Sequence, residues 1–590
     1  MRVFSMPHAP SAVHHPAGTA SVLFSPFAPD AFARARERHV PVFLLIGDET
    51  EAFADSALQL LLAEHTVPVH LRPGEREDVE LLSQRAGALF SGEGMLPLCV
   101  LMTADALPFL AAPLPPAGFA LDPARLQVWL AQANRRFQQN EPSCFAQAGQ
   151  VIHSFGRLSP GKPYQPQDAA HDLQRSLLSI QDKKYGGFGG IKSPFVCALR
   201  FAQNAGARSD KALGSAFSHA MEAMLASSLY DPLDGGFFRA TLTDDWRVFI
   251  PEKPLGVNAM LALCMMAGGQ HSEAVRTLDF LSDQFTLDGG GLSPAVYAPR
   301  ETYAFSSTQV CAALGSENGL RACRLLSLLR QRTQEEPHVT PSRFSPVSSV
   351  ADPKHRKRLD DETPSLYPLL PARLTPEDSA FLRRVTPALL RVRAARMPQR
   401  PRPYVITAHC ALAAAVLAAC GRRLSQPRYT QAAQRAVSFL ISQSGGGRPM
   451  SLPASAYPAS PLYAQATCGA SAALALAQLT LGAQDGMEEY AQSGLRLLSA
   501  ALHTFVRQDG LVMHTPKNPA EIFPRVPAIY DCELPSPAAL LVKALRIADK
   551  LHAKAHYAEA IDAIWAAAAP AVKAQPLSCA SLIDAVVHED

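Results

Sequence analysis

Acidic side chains gather around one turn in the middle of the chain. Asp231 and Asp234 stand just before a Gly-Gly pair, and Glu252 follows with Lys253 beside it. Glycoside hydrolysis needs two carboxylates facing each other across the scissile bond, and sugar epimerisation needs a base and often an acid on opposite ring faces. Glu252 and Asp231 are therefore candidate catalytic residues. Candidates for lining the same pocket are Asp234, Arg239, Trp246, Lys253, Asn258 and Glu301.

Several of these residues also have a structural explanation. Aspartates in turns commonly accept hydrogen bonds from nearby backbone, which would account for Asp231 and Asp234. Glu252 and Lys253 precede a helical stretch, where they could cap the helix and form a solvated pair. Trp246 could stack on a sugar ring, or it could pack beside a Gly-Gly turn. Both interpretations stay open at this point.

The Gly-Gly turn recurs at 185–188, 233–237 and 287–292, with a weaker copy at 508–511. Each copy follows one helical pattern and precedes another, which is typical of a repeat built from one supersecondary unit. The predicted unit is a helical hairpin. Six such hairpins closed in a ring form an (α/α)6 barrel, and the candidate residues would lie in the funnel at one end of it.

The first part of the chain has a different pattern. Short apolar runs at 40–46, 67–71 and 96–102 indicate buried strands, and helical stretches alternate with them. This order predicts a small α/β domain ahead of the barrel.

Composition excludes several classes of function. A net charge of +3 over 590 residues gives no argument for nucleic acid, and the arginines between 383 and 402 spread over several faces of a predicted helix. The 11 cysteines include no Cys-x-x-Cys pair, and neither a metal-ligand spacing nor a phosphate-binding Gly-rich loop is present. We therefore expect no metal, no cofactor, no membrane span and a location in the reducing cytoplasm.

At the level of motifs the chain resembles the spermatogenesis-associated thioredoxin-domain family. The resemblance rests on residues 28–47, 75–79 and 92–98, and on the motifs Tyr185-Gly186-Gly187-Phe188, Tyr230-Asp231-Pro232-Leu233-Asp234-Gly235-Gly236-Phe237, Arg400-Pro401-Arg402-Pro403 and Leu534-Pro535-Ser536. It implies a thioredoxin-like domain joined to a six-hairpin barrel similar to glycosidases and N-acylglucosamine epimerases. The implied boundaries are a domain at 1–145, a linker at 146–167, a barrel at 168–570 with a Pro-rich excursion at 335–376, and a tail at 571–590.

The chain departs from that family at its polar motifs. Glu51 and Ala54 occupy the positions of the family's Cys-x-x-Cys, while Pro97 stands where thioredoxin folds keep a cis-proline. Thiol–disulfide exchange needs one thiolate to attack and a second thiol to resolve, so this site is predicted to be inactive in redox chemistry. In the barrel the family's histidine ahead of Glu252 is replaced by Ile250.

Polar residues of the family's motifs are lost in both domains, while the glycines and the apolar framework are kept. This pattern favours a catalytically degenerate protein, a pseudoenzyme. Its funnel is expected to bind a carbohydrate-like small molecule or a protein partner. The alternative is an enzyme of carbohydrate metabolism, an epimerase, isomerase or glycoside hydrolase, that uses Glu252 and a second carboxylate. The sequence names neither the ligand nor the oligomeric state.

Overall fold

The structure is a computed structural model of the chain. It describes residues 24–48, 50–116, 121–155, 163–189, 192–208, 210–328, 367–370, 374–444, 451–457, 460–463, 466–518, 523–552 and 555–588. Most of the excursion predicted at 335–376 lies outside these residues.

The N-terminal part is a five-stranded sheet with helices on both faces. The strands run in the order β1-β3-β2-β4-β5, in which β1, β3 and β2 are parallel to one another and β4 and β5 are antiparallel to their neighbours. The elements are β1 (Ser25–Pro26), α1 (Pro29–Arg38), β2 (Val42–Ile46), α2 (Ser56–His65), β3 (Val67–Leu71), α3 (Glu77–Ser91), β4 (Leu98–Met102), β5 (Pro108–Pro113), α4 (Pro123–Gln139) and α5 (Glu141–His153).

Strand β2 shows why this sheet forms. All five of its side chains are apolar and buried, and they alternate between two cores because successive residues of a strand point to opposite faces. Phe43 and Leu45 join the core beneath α2 and α4. Val42, Leu44 and Ile46 belong to a second core that continues without a break into the helical part of the chain.

The helical part follows. Its elements are α6 (Pro166–Ser179), α7 (Val196–Ala207), α8 (Lys211–Leu225), β6 (Glu252–Pro254), α9 (Leu255–Gly268), α10 (His271–Gln284), β7 (Ala295–Tyr297), α11 (Ser307–Leu314), α12 (Ser316–Leu325), α13 (Pro376–Arg396), β8 (Arg400–Pro401), β9 (Val405–Ile406), α14 (Thr407–Leu424), α15 (Pro427–Gln443), β10 (Ser455–Tyr457), β11 (Ser460–Tyr463), α16 (Cys468–Gly482), α17 (Glu488–Phe505), α18 (Pro537–His552), α19 (Ala555–Ala574) and α20 (Ala580–Val587).

These helices close into a ring. The inner helices α7, α9, α14, α16, α18 and α20 contact one another in that order, and α20 returns to contact α7. Each inner helix has an outer partner, namely α8, α10, α15, α17, α19 and, for α20, α6. The predicted fold class, a thioredoxin-like domain followed by an (α/α)6 barrel, is confirmed.

Inner and outer helices differ in burial as this arrangement requires. In α16 every residue from Cys468 to Leu481 is buried, whereas its outer partner α17 buries only one face. A helix that is apolar all round is stable only inside a core, while an amphipathic one faces solvent. The barrel also carries two short three-stranded sheets, β6-β7-β8 and β9-β10-β11, that the sequence did not predict.

The ends of the barrel lie elsewhere than predicted. Residues 571–590, expected to be a tail, contain α20, which is an inner helix of the ring. The segment 146–167, expected to be a linker, begins inside α5, which packs on α3 and β5. Helix α20 has only 8 residues, so its apolar periodicity covers little more than two turns, and its tertiary partners give it a buried face.

A Gly-Gly turn closes the corner after α8. Gly235 has a φ of +87°, and a Cβ atom on it would stand 2.9 Å from the carbonyl oxygen of Arg276 in α10. A glycine is therefore required both for the backbone conformation and for the close approach of the next hairpin.

In the part of the chain that the structure describes, no helix is both long and apolar enough to cross a membrane.

Closure of the ring by α20 generates the first prediction. Leu582 in α20 is fully buried, so Leu582→Ala should lower the free energy of unfolding by about 2–5 kcal/mol. The control is Leu320→Ala, because Leu320 is 43% exposed and its truncation should change that free energy far less. Urea denaturation followed by circular dichroism measures both. Equal, small effects in the two variants would mean that α20 does not close the barrel.

Candidate functional site

A cavity of about 80 Å³ lies between the thioredoxin-like domain and the barrel, and we call it the interdomain cavity. From the thioredoxin-like domain it is lined by Asp48 after β2, Gly74, Glu77, Glu80 and Leu96. Leu96 forms a cis peptide bond with Pro97. The end of β2 and the cis-proline loop therefore face the barrel funnel, which the domain covers.

The loop 72–76 makes this contact possible. Gly74 has a φ of +81°, and a Cβ atom there would stand 2.8 Å from His409 of α14, so a larger residue could not approach the barrel so closely. Ser455 of the barrel donates a hydrogen bond to Glu75 at 2.6 Å. Arg76 is buried in an ion pair with Asp78, at 2.6 Å, and its guanidinium lies over the ring of Phe523.

Glu252, the leading candidate from the sequence, lines the interdomain cavity with Arg239. Its carboxylate accepts a hydrogen bond from Nε of Arg239 at 2.8 Å and lies 3.6 Å from a guanidinium nitrogen of Arg402. Burial alone would raise the pKa of Glu252, but Arg239 and Arg402 outweigh it and hold the pKa below its ordinary value. Glu252 is thus an ionised carboxylate in a salt-bridge network.

That network joins the two domains. Arg239 also pairs with Glu533, which follows Cys532 in the loop before α18. Nε of Arg402 lies 3.2 Å from Asp48 of the thioredoxin-like domain, and the hydroxyl of Tyr404 donates to the same carboxylate at 2.8 Å. The interdomain contact is therefore made of partly buried, paired charges as well as apolar side chains.

Glu80 differs from Glu252. Its Oε2 accepts a hydrogen bond from the backbone of Gly74 at 2.8 Å. Burial raises the pKa of Glu80 to about 7, and the nearby carboxylates of Glu533 and Glu77 act in the same direction. The carboxyl is therefore largely protonated below neutral pH.

Two histidines line the same cavity. Burial lowers the pKa of His409 to about 4, with Arg239 adding to the effect, so this ring is neutral at physiological pH. His514 is 3% exposed, and Nδ1 of its ring stands 3.4 Å from Oε2 of Glu77. Among the described residues neither ring nitrogen of His514 has a hydrogen-bond partner.

Lys253 belongs to a different site from Glu252, although the two are adjacent. They lie in strand β6, not at a helix cap, and neighbouring residues of a strand point to opposite faces. Lys253 is fully buried, with Nζ 2.9 Å from Asp231 and 2.7 Å from Asp234. Arg393 completes this cluster at 2.7 Å from Asp231.

The lysine and arginine neutralise the two aspartates. Burial would raise the pKa of Asp231, but Arg393 and Lys253 hold it well below its ordinary value. Gln399 donates a further hydrogen bond to Asp234 at 2.7 Å. Asp231, Asp234 and Lys253 therefore form a buried ion cluster that does not line the interdomain cavity.

Four further candidates from the sequence do not line the interdomain cavity. Asn258 is buried and accepts the backbone N–H of Phe237 at 2.7 Å, and Trp246 is buried and donates to the carbonyl of Tyr185 at 2.8 Å. Glu301 is exposed. Ala54 is exposed too, after a short 3₁₀ helix at Thr50–Phe53. The side chain of Glu51 lies outside the part that the structure describes.

Several known proteins resemble this chain in sequence. Residues 8–156 match the family model Thioredox_DsbH, described as "Protein of unknown function, DUF255". The chain is 26% identical to uncharacterized protein B0495.5 of Caenorhabditis elegans, over 39% of this chain and 34% of that protein. It is 24% identical to spermatogenesis-associated protein 20 of Homo sapiens, over 40% of this chain and 33% of that protein. The resemblance to this family is confirmed. The aligned part spans about a third of each relative's length.

Solved structures with a similar fold include sugar isomerases and epimerases. A D-mannose isomerase matches with 10% identity and a TM-score of 0.43, covering 69% of this chain and 86% of that one. A sugar epimerase from a ruminal bacterium matches with 12% identity and a TM-score of 0.39, covering 68% and 85%.

The sequence did not reveal the partners that give these residues their environment. Glu77, Glu80, His514, Cys532 and Glu533 come from distant segments that only the docked domains bring together. One signal was available, because Arg393 follows Val385 and Leu389 at helical spacing on the apolar face of α13. A charge on such a stripe indicates a buried partner.

In the described ranges, no group of three or more His, Cys, Asp or Glu could hold a metal ion.

The buried cluster around Lys253 generates the second prediction. Lys253→Met leaves two buried aspartates with less compensating charge, so the free energy of unfolding should fall by about 3–5 kcal/mol. The exposed Lys183 provides a matched control, since Lys183→Met should leave that free energy nearly unchanged. Chemical denaturation compares the two. A Lys253→Met variant as stable as the control would show that this cluster does not support the fold.

The protonation of Glu80 generates the third prediction. Its pKa is 4.5 ordinarily and about 7 in the folded protein, so its stabilising contribution is complete below pH 4.5 and is lost as the pH rises through 7. Relative to Glu80→Gln, the free energy of unfolding of the wild type should fall by roughly 3 kcal/mol across that interval. Urea titrations of both proteins from pH 4.5 to 8 measure the difference. A difference that is independent of pH would contradict this assignment.

Proposed function

We propose that the protein is a binding protein that has lost both of its ancestral chemistries. In this proposal the thioredoxin-like domain serves as a fixed cover on the barrel, and the interdomain cavity holds a small polar ligand. The observation that carries the proposal is the state of Glu252. The carboxylate best placed for sugar chemistry is held by Arg239 and Arg402 in the joint between the domains.

The absence of redox chemistry is supported by the thiols. All 11 cysteines are free, and Cys532 is the one among the cavity's lining residues. Desolvation of its sulfur and the neighbouring carboxylates of Glu80 and Glu77 raise its pKa well above the ordinary value, although the residue as a whole is exposed. Since the thiolate is the nucleophile in disulfide exchange, such a thiol reacts slowly. Ala54, at a family cysteine position, offers no sulfur.

The size of the interdomain cavity supports loss of catalysis on sugars. Sites for small molecules usually enclose about 300–1,000 Å³, whereas this cavity measures about 80 Å³. A sugar would fit only if elements that line the cavity, such as the loop 72–76, withdrew from the barrel. Withdrawal of this loop would break the contact of Glu75 with Ser455. A location in the cytoplasm stays an expectation from the sequence.

The fourth prediction concerns thiol chemistry. The purified protein should not accelerate the reduction of insulin disulfides by dithiothreitol, because Glu51 and Ala54 replace the attacking and resolving thiols of the family's Cys-x-x-Cys. A thioredoxin with an intact Cys-x-x-Cys, run in the same assay, provides the positive control. Turbidity measures the rate. Acceleration by the wild type that disappears in Cys532→Ser would overturn the proposed loss of redox activity.

A second candidate function rests on one observation. Two carboxyl groups of the interdomain cavity, Glu80 and Glu252, have pKa values shifted in opposite directions, as an acid and a base in one active site would. This pair would suit an epimerase or isomerase whose cover opens.

Incubation with D-mannose, followed by NMR of the sugar products, separates the two functions. The binding proposal expects no turnover. Turnover that is lost in both Glu252→Gln and Glu80→Gln, but kept in the exposed control Glu489→Gln, would replace the binding proposal with the enzyme.

A further inference from the structure

Charges in the interdomain cavity are not balanced. Five carboxylates line it, those of Asp48, Glu77, Glu80, Glu252 and Glu533, together with one arginine, Arg239. Arg239 pairs with Glu252 and Glu533, and Arg402 pairs with Glu252 and Asp48. Within the described part of the chain, no lysine or arginine forms a salt bridge with Glu77 or Glu80. The excess of carboxyl groups over cations therefore lies at these two residues, of which Glu80 becomes ionised only as the pH reaches about 7 and above.

Glu77 and Glu80 lie on one face of α3. Residues three apart on a helix are neighbours on its surface, so both carboxyl groups face the same side of the interdomain cavity. His514 approaches from the barrel and contacts Glu77. We call these three residues the acidic corner.

His514 gives the independent indication that a ligand belongs here. Its side chain is 3% exposed and lines the interdomain cavity, yet in the described structure neither ring nitrogen has a hydrogen-bond partner. Leaving a buried polar group unsatisfied costs about 1–3 kcal/mol. If Nδ1 carries the proton that faces Glu77, Nε2 is an acceptor. When Glu80 is ionised, the acidic corner then offers three groups that can accept a hydrogen bond from a ligand.

We infer that the acidic corner binds the ammonium group of a small organic amine. An alkylammonium has three N–H donors, which matches the acceptors of Glu77, Glu80 and His514, and its charge compensates the excess. The inference rests on the proposed function, because it names the ligand class of the same cavity. A cavity of about 80 Å³ has room for about two or three water-sized groups, so the ligand is an amine of ethylamine size.

Binding of a cation is coupled to ionisation of Glu80. The groups that face this carboxyl are Glu77 and Gln84 on its own helix, the backbone of Gly74, and Arg239, Glu533 and Cys532 from the barrel. Below pH 7 an entering ammonium displaces the proton from Glu80, and this proton leaves to solvent. Affinity should then rise about tenfold per pH unit up to about pH 7 and level off above it.

Isothermal titration calorimetry of the full chain with ethylammonium chloride tests the inference. The dissociation constant should rise at least tenfold in Glu77→Gln, and Glu80→Gln should remove the pH dependence between pH 6 and 7. Ethylene glycol and tetramethylammonium serve as comparison ligands, since the first has no charge and the second has no N–H donors. Glu489→Gln, an exposed glutamate, is the control variant. Thermal unfolding followed by circular dichroism confirms that each variant folds.

The outcomes separate the inference from the proposed function. Binding of ethylene glycol or a sugar without binding of ethylammonium overturns the amine but keeps a binding cavity. Equal binding of ethylammonium by the wild type and by Glu77→Gln places the amine elsewhere and also overturns the inference. No binding of any probe by a folded protein overturns both. If Glu80→Gln does not fold, Glu77→Gln alone decides the result.

Discussion

The structure depends on the pairing of partly buried charges where the two domains meet. Arg402 sits between Asp48 of the thioredoxin-like domain and Glu252 of the barrel, and Arg239 links Glu252 to Glu533 within the barrel. Removing one partner would leave a charge uncompensated where water has restricted access. Burial of single charges is costly, so such a joint is stable only when every member is in place. This constraint fixes how the end of β2, which carries Asp48, meets the barrel, and so contributes to the shape of the interdomain cavity.

Much of the fold was predictable because it depends on short-range patterns. The strand runs at 40–46, 67–71 and 96–102 contain β2, β3 and β4, and the recurring Gly-Gly turns indicated the hairpins of the barrel. Elements stabilised mainly by distant partners were missed. Strand β8 has two residues, and α20 is too short for its periodicity to be distinctive.

The candidate site was less predictable, and Glu252 and Lys253 show why. Both are polar neighbours in sequence, and grouping them in one pocket was natural. The pleat of β6 sends one into the interdomain cavity and the other into a cluster with Asp231 and Arg393. Which carboxylate is neutral and which is ionised depends on burial and on the arginines supplied by distant segments, and a sequence pattern carries neither.

The pairing of α6 with α20 brings the two ends of the barrel together. On the ribosome, the outer helix α6 is made early and its inner partner α20 only after all the other helices of the ring. The growing chain must therefore hold an open arc of hairpins, with apolar edges at α7 and α18, until α20 emerges from the exit tunnel. Exposed apolar surface of this kind promotes aggregation, so slow synthesis or truncated translation would make this protein depend on chaperones.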